Sequence, residues 1–206
     1  MRTYLASCLC AAALLAAGPL AQAEITSWSC TDDGDGAIVM EDSLATWAQL
    51  ADENGIPAYE LNVYGSQYAA PAHVEGHFGT DSVEDPIVWI IETVDNKTTF
   101  PWTGYIIDIG MPQDFDILSA MGPADWDYSI TQPVPGTIPN GGPGYVGRIE
   151  YTAGTPILIG ESGDFGFKIA FEGSVDFCTE QTPTPEPASL SLLGLGVLAL
   201  VRRRVA

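Results

Sequence analysis

The sequence predicts an all-β fold, an antiparallel β-sandwich, and three observations carry that expectation. Phe165, Phe167, Ile169 and Phe171 alternate with Gly166, Lys168, Ala170 and Glu172, the period of a strand with one face on a core and one on solvent. Tyr105, Ile107, Ile109 and Met111 alternate with Ile106, Asp108 and Gly110 in the same way. Ile87-Val88-Trp89-Ile90-Ile91 is apolar on both faces and reads as a central buried strand.

Shorter strands are expected at 59–64, 72–78, 115–118, 128–131, 147–151 and 175–178. Turn chemistry separates them: Asp95-Asn96, Met111-Pro112, Gly122-Pro123 and a long loop from Pro133 to Gly144. About eight or nine short strands at such intervals are the pattern of a sandwich. Ahead of them one short helix is expected, N-capped by Ser43, with Leu44, Trp47, Leu50 and Ala51 toward the core and a stop at Gly55.

Both ends read as addressing segments. Arg2 opens a positive stretch, residues 5–20 form an apolar region rich in Ala, Leu and Cys, and Ala21-Gln22-Ala23 is a small-x-small cleavage site. Residues 1–23 therefore read as a signal peptide, signal peptidase is the implied partner, and the mature chain is expected to start at Glu24. At the other end come a proline-rich linker at 182–187, 14 uncharged residues at 188–201 and a basic tail at 202–206. A bilayer-spanning helix needs about 20 residues, so this transmembrane helix is short, with the arginines on the cytoplasmic side. Residues 24–181 remain as one acidic β-sandwich domain.

Pro185-Glu186-Pro187-Ala188-Ser189, followed by Leu-Ser-Leu-Leu-Gly-Leu-Gly and then Arg202-Arg203-Arg204, resembles the PEP-CTERM sorting signal. The resemblance implies recognition by an exosortase, an inner-membrane transpeptidase-like enzyme of Gram-negative bacteria. It also implies export through an inner-membrane intermediate to the cell surface or extracellular matrix. A second resemblance covers roughly residues 76–115. Asp85-Pro86, Asn96-Lys97-Thr98 and Trp102-Thr103-Gly104-Tyr105 look like a β-sandwich domain common among PEP-CTERM proteins, which implies a sandwich without assigned activity. Where that pattern often has His, Ile106 stands here, so no catalytic role is borrowed. Trp102 reads as a core plug.

Between Glu24 and Glu186 lie all 27 acidic residues and only Lys97, Arg148 and Lys168, a formal charge of −24. Such a field excludes nucleic acid as a partner and disfavours anionic lipid. Cys30 and Cys178 stand near the two ends of the domain in an oxidising compartment. They are expected to form one disulfide clasping the first and last strands.

Two sets of residues have metal-ligand chemistry. His73, Glu75 and His77 at i, i+2 and i+4 face one way on a strand, an N/O set suited to zinc or copper. Asp32-Asp33-Gly34-Asp35-Gly36 offers hard oxygens for calcium, with Glu41 or Asp42 placed to close a loop. No cofactor is required by the pattern; calcium is the one admitted. A Ser-His-Asp triad must use His73 or His77, and Gly160-Glu161-Ser162-Gly163-Asp164 lacks the final glycine of a nucleophile elbow. Tyr59, Tyr64, Tyr68, Trp126, Tyr128 and Tyr145 form either a sugar-stacking platform or plugs for the sandwich ends. The expectation is a non-enzymatic surface or matrix protein, structural or adhesive within exopolysaccharide. A carbohydrate-binding module and a secreted hydrolase are the alternatives.

Overall fold

The computed structural model describes residues 24–81 and 86–186. The expected signal peptide with its expected cleavage residues Ala21 and Ala23, Pro187, the 188–201 segment and Arg202, Arg203 and Arg204 lie outside the described residues. Among those described, no helix is long and apolar enough to cross a membrane.

The chain forms β1 (Ile25–Asp32), β2 (Ile38–Met40), β3 (Thr46–Gln49), β4 (Ala58–Gln67), β5 (Ala72–Thr80), β6 (Ile87–Asn96), β7 (Trp102–Met111), β8 (Phe115–Met121), β9 (Asp127–Thr137), β10 (Pro143–Ile157), β11 (Ser162–Phe171) and β12 (Val175–Pro185). One sheet runs β1-β5-β12-β7-β10-β9; the other runs β2-β4-β6-β11-β8, with β3 beside β4. The two sheets pack face to face as the expected sandwich. One pair departs from antiparallel: β4 and β6 are parallel, in register from Ala58↔Ile87 to Gln67↔Asn96. The intervening β5 crosses to the opposite sheet, so β6 returns beside β4 in the same direction.

The core sorts by length along the strands. At one end Trp47 stacks on Trp28 and Tyr59, and Phe78 stacks on Phe171 and Phe177. At the end where β12 finishes, Tyr105 stacks on Phe165 at 4.1 Å and tilts against Trp102 at 5.3 Å. Between them lie Leu61, Val63, Val74, Ile90, Ile107, Ile109 and Ile169, all buried.

The Asn-x-Thr…Trp series has a structural meaning here. Asn96, fully buried, donates through Nδ2 to the carbonyls of Phe100 and Ile157, both at 3.0 Å. Its Oδ1 accepts from the Thr98 N–H and hydroxyl at 3.0 and 2.7 Å. Trp102 Nε1 then donates to Thr98 Oγ1 at 3.0 Å, and its ring fills the core as expected. The motif is a polar corner that turns β6 into β7 and leaves no buried donor of that corner unpaired.

Four expectations are corrected. The helix capped by Ser43 is absent: only a single 3₁₀ turn, Asp42–Leu44, precedes strand β3. Thr46 and Trp47 pair with Asn62 and Leu61 of β4, because a β-branched residue and an aromatic gain more from the sheet than from a helix face. The loop from Pro133 to Gly144 shrinks to 138–142, since β9 runs through Pro133 and Pro135 to Thr137. That strand is the edge of its sheet, where a missing N–H costs no ladder bond. The linker at 182–187 is largely strand, with Thr182 to Pro185 paired against Ile106 to Trp102. Finally, Cys30 and Cys178 are free thiols. They sit on β1 and β12 with β5 between them, opposite Gly76 and Glu75 respectively, so they point to opposite faces of the sheet. Two strand spacings set their Cα atoms about 10 Å apart, beyond the roughly 7 Å a disulfide spans.

Candidate functional site

The outer face of the β1-containing sheet gathers most of the residues singled out above. Alternation on β5 turns Ala72, Val74 and Phe78 into the core, so His73, Glu75 and His77 face outward as expected. The adjacent β12 presents Asp176, Cys178 and Glu180 beside them through the pairs Asp176↔His77, Cys178↔Glu75 and Glu180↔His73. Farther across the sheet, Arg148 makes a bidentate pair with Asp108 at 2.6 and 2.7 Å. The β9–β10 connection folds over this face: a Cβ at Gly110 would meet Pro139 at 2.5 Å, so only glycine lets the loop lie flat there. It covers Cys178 and leaves two clefts, one on each side of Asn140.

The first cleft, about 300 Å³, is lined by Asp33, His73, Glu75, Pro139, Asn140, Gly141 and Cys178. Here the two predicted metal sets meet in part. One carboxylate oxygen each of Asp33 and Asp35 and a nitrogen of His73 lie within 4.8 Å of one another. Asp33 is 3.3 Å from His73 Nδ1, and Glu180 is 3.2 Å from His73 Nε2. Asp33 and Asp35 also accept the N–H groups of Asp35 and Ala37, at 3.0 and 2.6 Å. The Asp35 N–H, with the His73 imidazole adding to it, holds the Asp33 carboxyl below its ordinary value.

The remaining members of the two sets stand elsewhere. On a strand that rises about 3.3 Å per residue, His73 and His77 are about 13 Å apart and cannot share an ion. Glu75 lines both clefts. Strand β2 carries Asp42 away from the Asp33–Asp35 turn, so no EF-hand-like loop closes.

The second cleft, about 340 Å³, holds Ser29, Glu75, His77 and Asp176 among its walls. Register puts Ser29, His77 and Asp176 in one row across three strands, an alignment that spacing in the sequence does not reveal. His77 Nδ1 is 2.7 Å from Asp176 Oδ1, yet Asp176 is 81% exposed and water screens the pair. No hydrogen bond joins Ser29 to the imidazole, the contact that would activate a nucleophile.

The aromatic residues disperse. Tyr59 and Trp126 are buried plugs. Tyr64 projects from β4, Tyr68 from the β4–β5 connection and Tyr128 from β9, a strand of the other sheet, while Tyr145 is half-buried against the core.

The last feature is the point where the chain leaves the domain. Pro183 is buried, Thr184 and Pro185 are exposed, and the Thr103 hydroxyl shares its one proton between the carbonyls of Thr184 and Pro185, at 3.3 and 3.2 Å. Residues 183–205 match the PEP-CTERM protein-sorting motif. No curated protein and no solved structure matches the chain. The PEP-CTERM motif indicates an exported protein sorted by an exosortase. Its first three residues are the final residues of β12, so the sorting tail has no spacer from the folded domain.

One ionisable group is buried at the heart of the sandwich. Glu92, on the core face of β6, accepts from Gln181 Nε2 at 2.6 Å through Oε2, while Oε1 has no partner. Gln181 Oε1 and Gln67 Oε1 both lie 2.7 Å from the Tyr105 hydroxyl, which has one proton for two acceptors. Burial pushes the Glu92 carboxyl from an ordinary 4.5 up to about 7, and the Gln181 amide only partly opposes it. Burial likewise pushes the hydroxyl of Tyr105 and the thiol of Cys30 upward, with the Glu92 charge adding to both. Between those two pH values the folded chain holds a proton that the unfolded chain has released. Stability contributed by this group therefore falls as pH rises from 4.5 to about 7 and is level above. The whole change is about 3 kcal/mol. Glu92→Gln is expected to remove that slope and to raise stability above pH 7 relative to the parent. Urea titrations at pH 5 and pH 8 measure it, and equal pH dependence in both proteins contradicts the assignment.

Proposed function

We propose that this chain is an exported, non-enzymatic component of the cell surface or extracellular matrix, structural or adhesive, working within exopolysaccharide or biofilm. The observation that carries the reading is the fusion of the sorting motif to the last strand of a compact sandwich. The sorting motif is thus continuous with the last strand of the body it delivers. The charge fits a matrix setting, since a formal −24 keeps copies apart unless cations or salt screen them. The test is intact mass with fractionation of the protein from its native cells. The expected result is a mature chain starting at Glu24, lacking the residues after about Pro187 and found outside the inner membrane. A chain that keeps residues 188–206 in the inner membrane contradicts delivery.

A second reading, cation binding, draws on the convergence of Asp33, Asp35 and His73. With Nε2–H donated to Glu180, His73 Nδ1 is the free ligand nitrogen, the carboxylate–histidine–metal arrangement that fixes a tautomer. Mixed nitrogen and oxygen donors suit zinc better than calcium. Isothermal titration with zinc at pH 7 is expected to give one site, lost in His73→Ala and kept in Asp42→Ala. No heat in the parent, or binding that survives His73→Ala, removes this reading.

A further inference from the structure

Leu158 and Ile159, 50% and 56% exposed, form the tip of the β10–β11 connection, and Tyr68, 53% exposed, stands in the β4–β5 connection. Both connections lie at the end of the sandwich from which the sorting tail leaves. Trp102 is paired with Ile157 of β10 and with Pro185 of β12. The apolar tip is thus two strand spacings, about 10 Å, from the strand exit. It is held outward by hydrogen bonds: Glu161 N–H to the Leu158 carbonyl at 3.0 Å, Gly160 N–H to the Asn96 carbonyl at 2.7 Å, and Leu158 N–H to Glu161 Oε2 at 3.0 Å.

Only Glu186 and Pro187 separate β12 from the uncharged run that begins at Ala188. Fully extended, that connection spans about 10 Å. A tail inserted in a bilayer over so short a tether brings this end of the domain against the lipid headgroups. Glu161 accepts from the Leu158 N–H, and Asp95 is paired with Lys97 at 3.0 Å, so both carboxylates beside the tip are engaged.

We propose that Leu158, Ile159 and Tyr68 form a membrane-docking surface that rests in the interfacial layer of a zwitterionic bilayer while the tail is anchored. The proposal rests on the sorted-and-anchored reading of the tail. Apolar area buried at the headgroup boundary supplies the attraction. Tethering makes the contact intramolecular, so weak intrinsic affinity suffices. Docking of this kind fixes the orientation of the domain and presents the sorting motif to a membrane enzyme at constant height.

The test uses the chain from Glu24 to Ala206, so that the tail is its one apolar terminal segment, with Ile159→Cys labelled by the environment-sensitive dye NBD. Cys30 and Cys178 are buried and take no label in the folded protein. Glu172→Cys, at the opposite end of the sandwich, is the second labelled variant. Each is reconstituted into phosphatidylcholine vesicles containing a headgroup-proximal doxyl lipid and recovered by flotation. The expected result is quenching at residue 159 at least about twofold greater than at residue 172. Equal quenching at both positions in protein that floats with the vesicles overturns the docking surface and leaves the anchored tail standing. Failure to float overturns the anchored reading and the docking surface with it. Residue 159 unquenched in vesicles but cross-linked to a protein in cells assigns this surface to a protein partner and overturns lipid docking.

Discussion

Strand β12 lies third in its sheet, between β5 and β7, and is paired on both sides from Cys178 to Gln181. From Thr182 onward it is paired with β7 alone, which is where the prolines begin and where a missing N–H does least harm. That pairing sets the remainder. It brings Asp176 and Glu180 beside His77 and His73 and carries Gln181 under Tyr105 and Glu92. It also places the first residues of the sorting motif on the fold itself. A sheet without Asp176, Glu180 and Gln181 would lose the frame for its outer face and the polar link between its layers together.

The polar core explains why the sandwich tolerates so much buried chemistry. Asn96 uses its amide to bind two carbonyls and a threonine, so its burial is satisfied and turns a corner. Glu92 is not satisfied in the same way, because one of its oxygens has no hydrogen-bond partner. A buried amide network specifies a unique register between the sheets, while a buried carboxyl makes part of the stability depend on pH. The two sit on the same strand, four residues apart, one with its polar atoms paired and one with an oxygen left over.

Much of the fold was legible because β6, β7 and β11 bury one face or both and so show their period in the residues. The first three strands were not. A register shift between Ile25 and Ser27 breaks the alternation of β1, and β3 is four residues long, too short for a period to declare itself. The prolines of β9 read as a loop because sequence does not say which strand is an edge. The site was legible as residue types and not as partners. His73 meets Asp33 across 40 positions, and Ser29, His77 and Asp176 align across three strands, only through register. The same one-residue offset that separates Gly76 from Glu75 put the two cysteines on opposite faces. Spacing in the chain could not have shown it.

The central claim is that the folded domain includes the start of its own sorting motif. The most direct measurement is thermal unfolding of chains starting at Glu24 and ending at Gln181, Pro185 or Glu186. Ending at Gln181 removes a buried proline and four residues of pairing, which is expected to lower Tm by roughly 5 °C or more. Chains ending at Pro185 and Glu186 are expected to melt together at the higher value. A chain ending at Gln181 that melts with the other two would show that the motif is an appended linker, and would contradict the account.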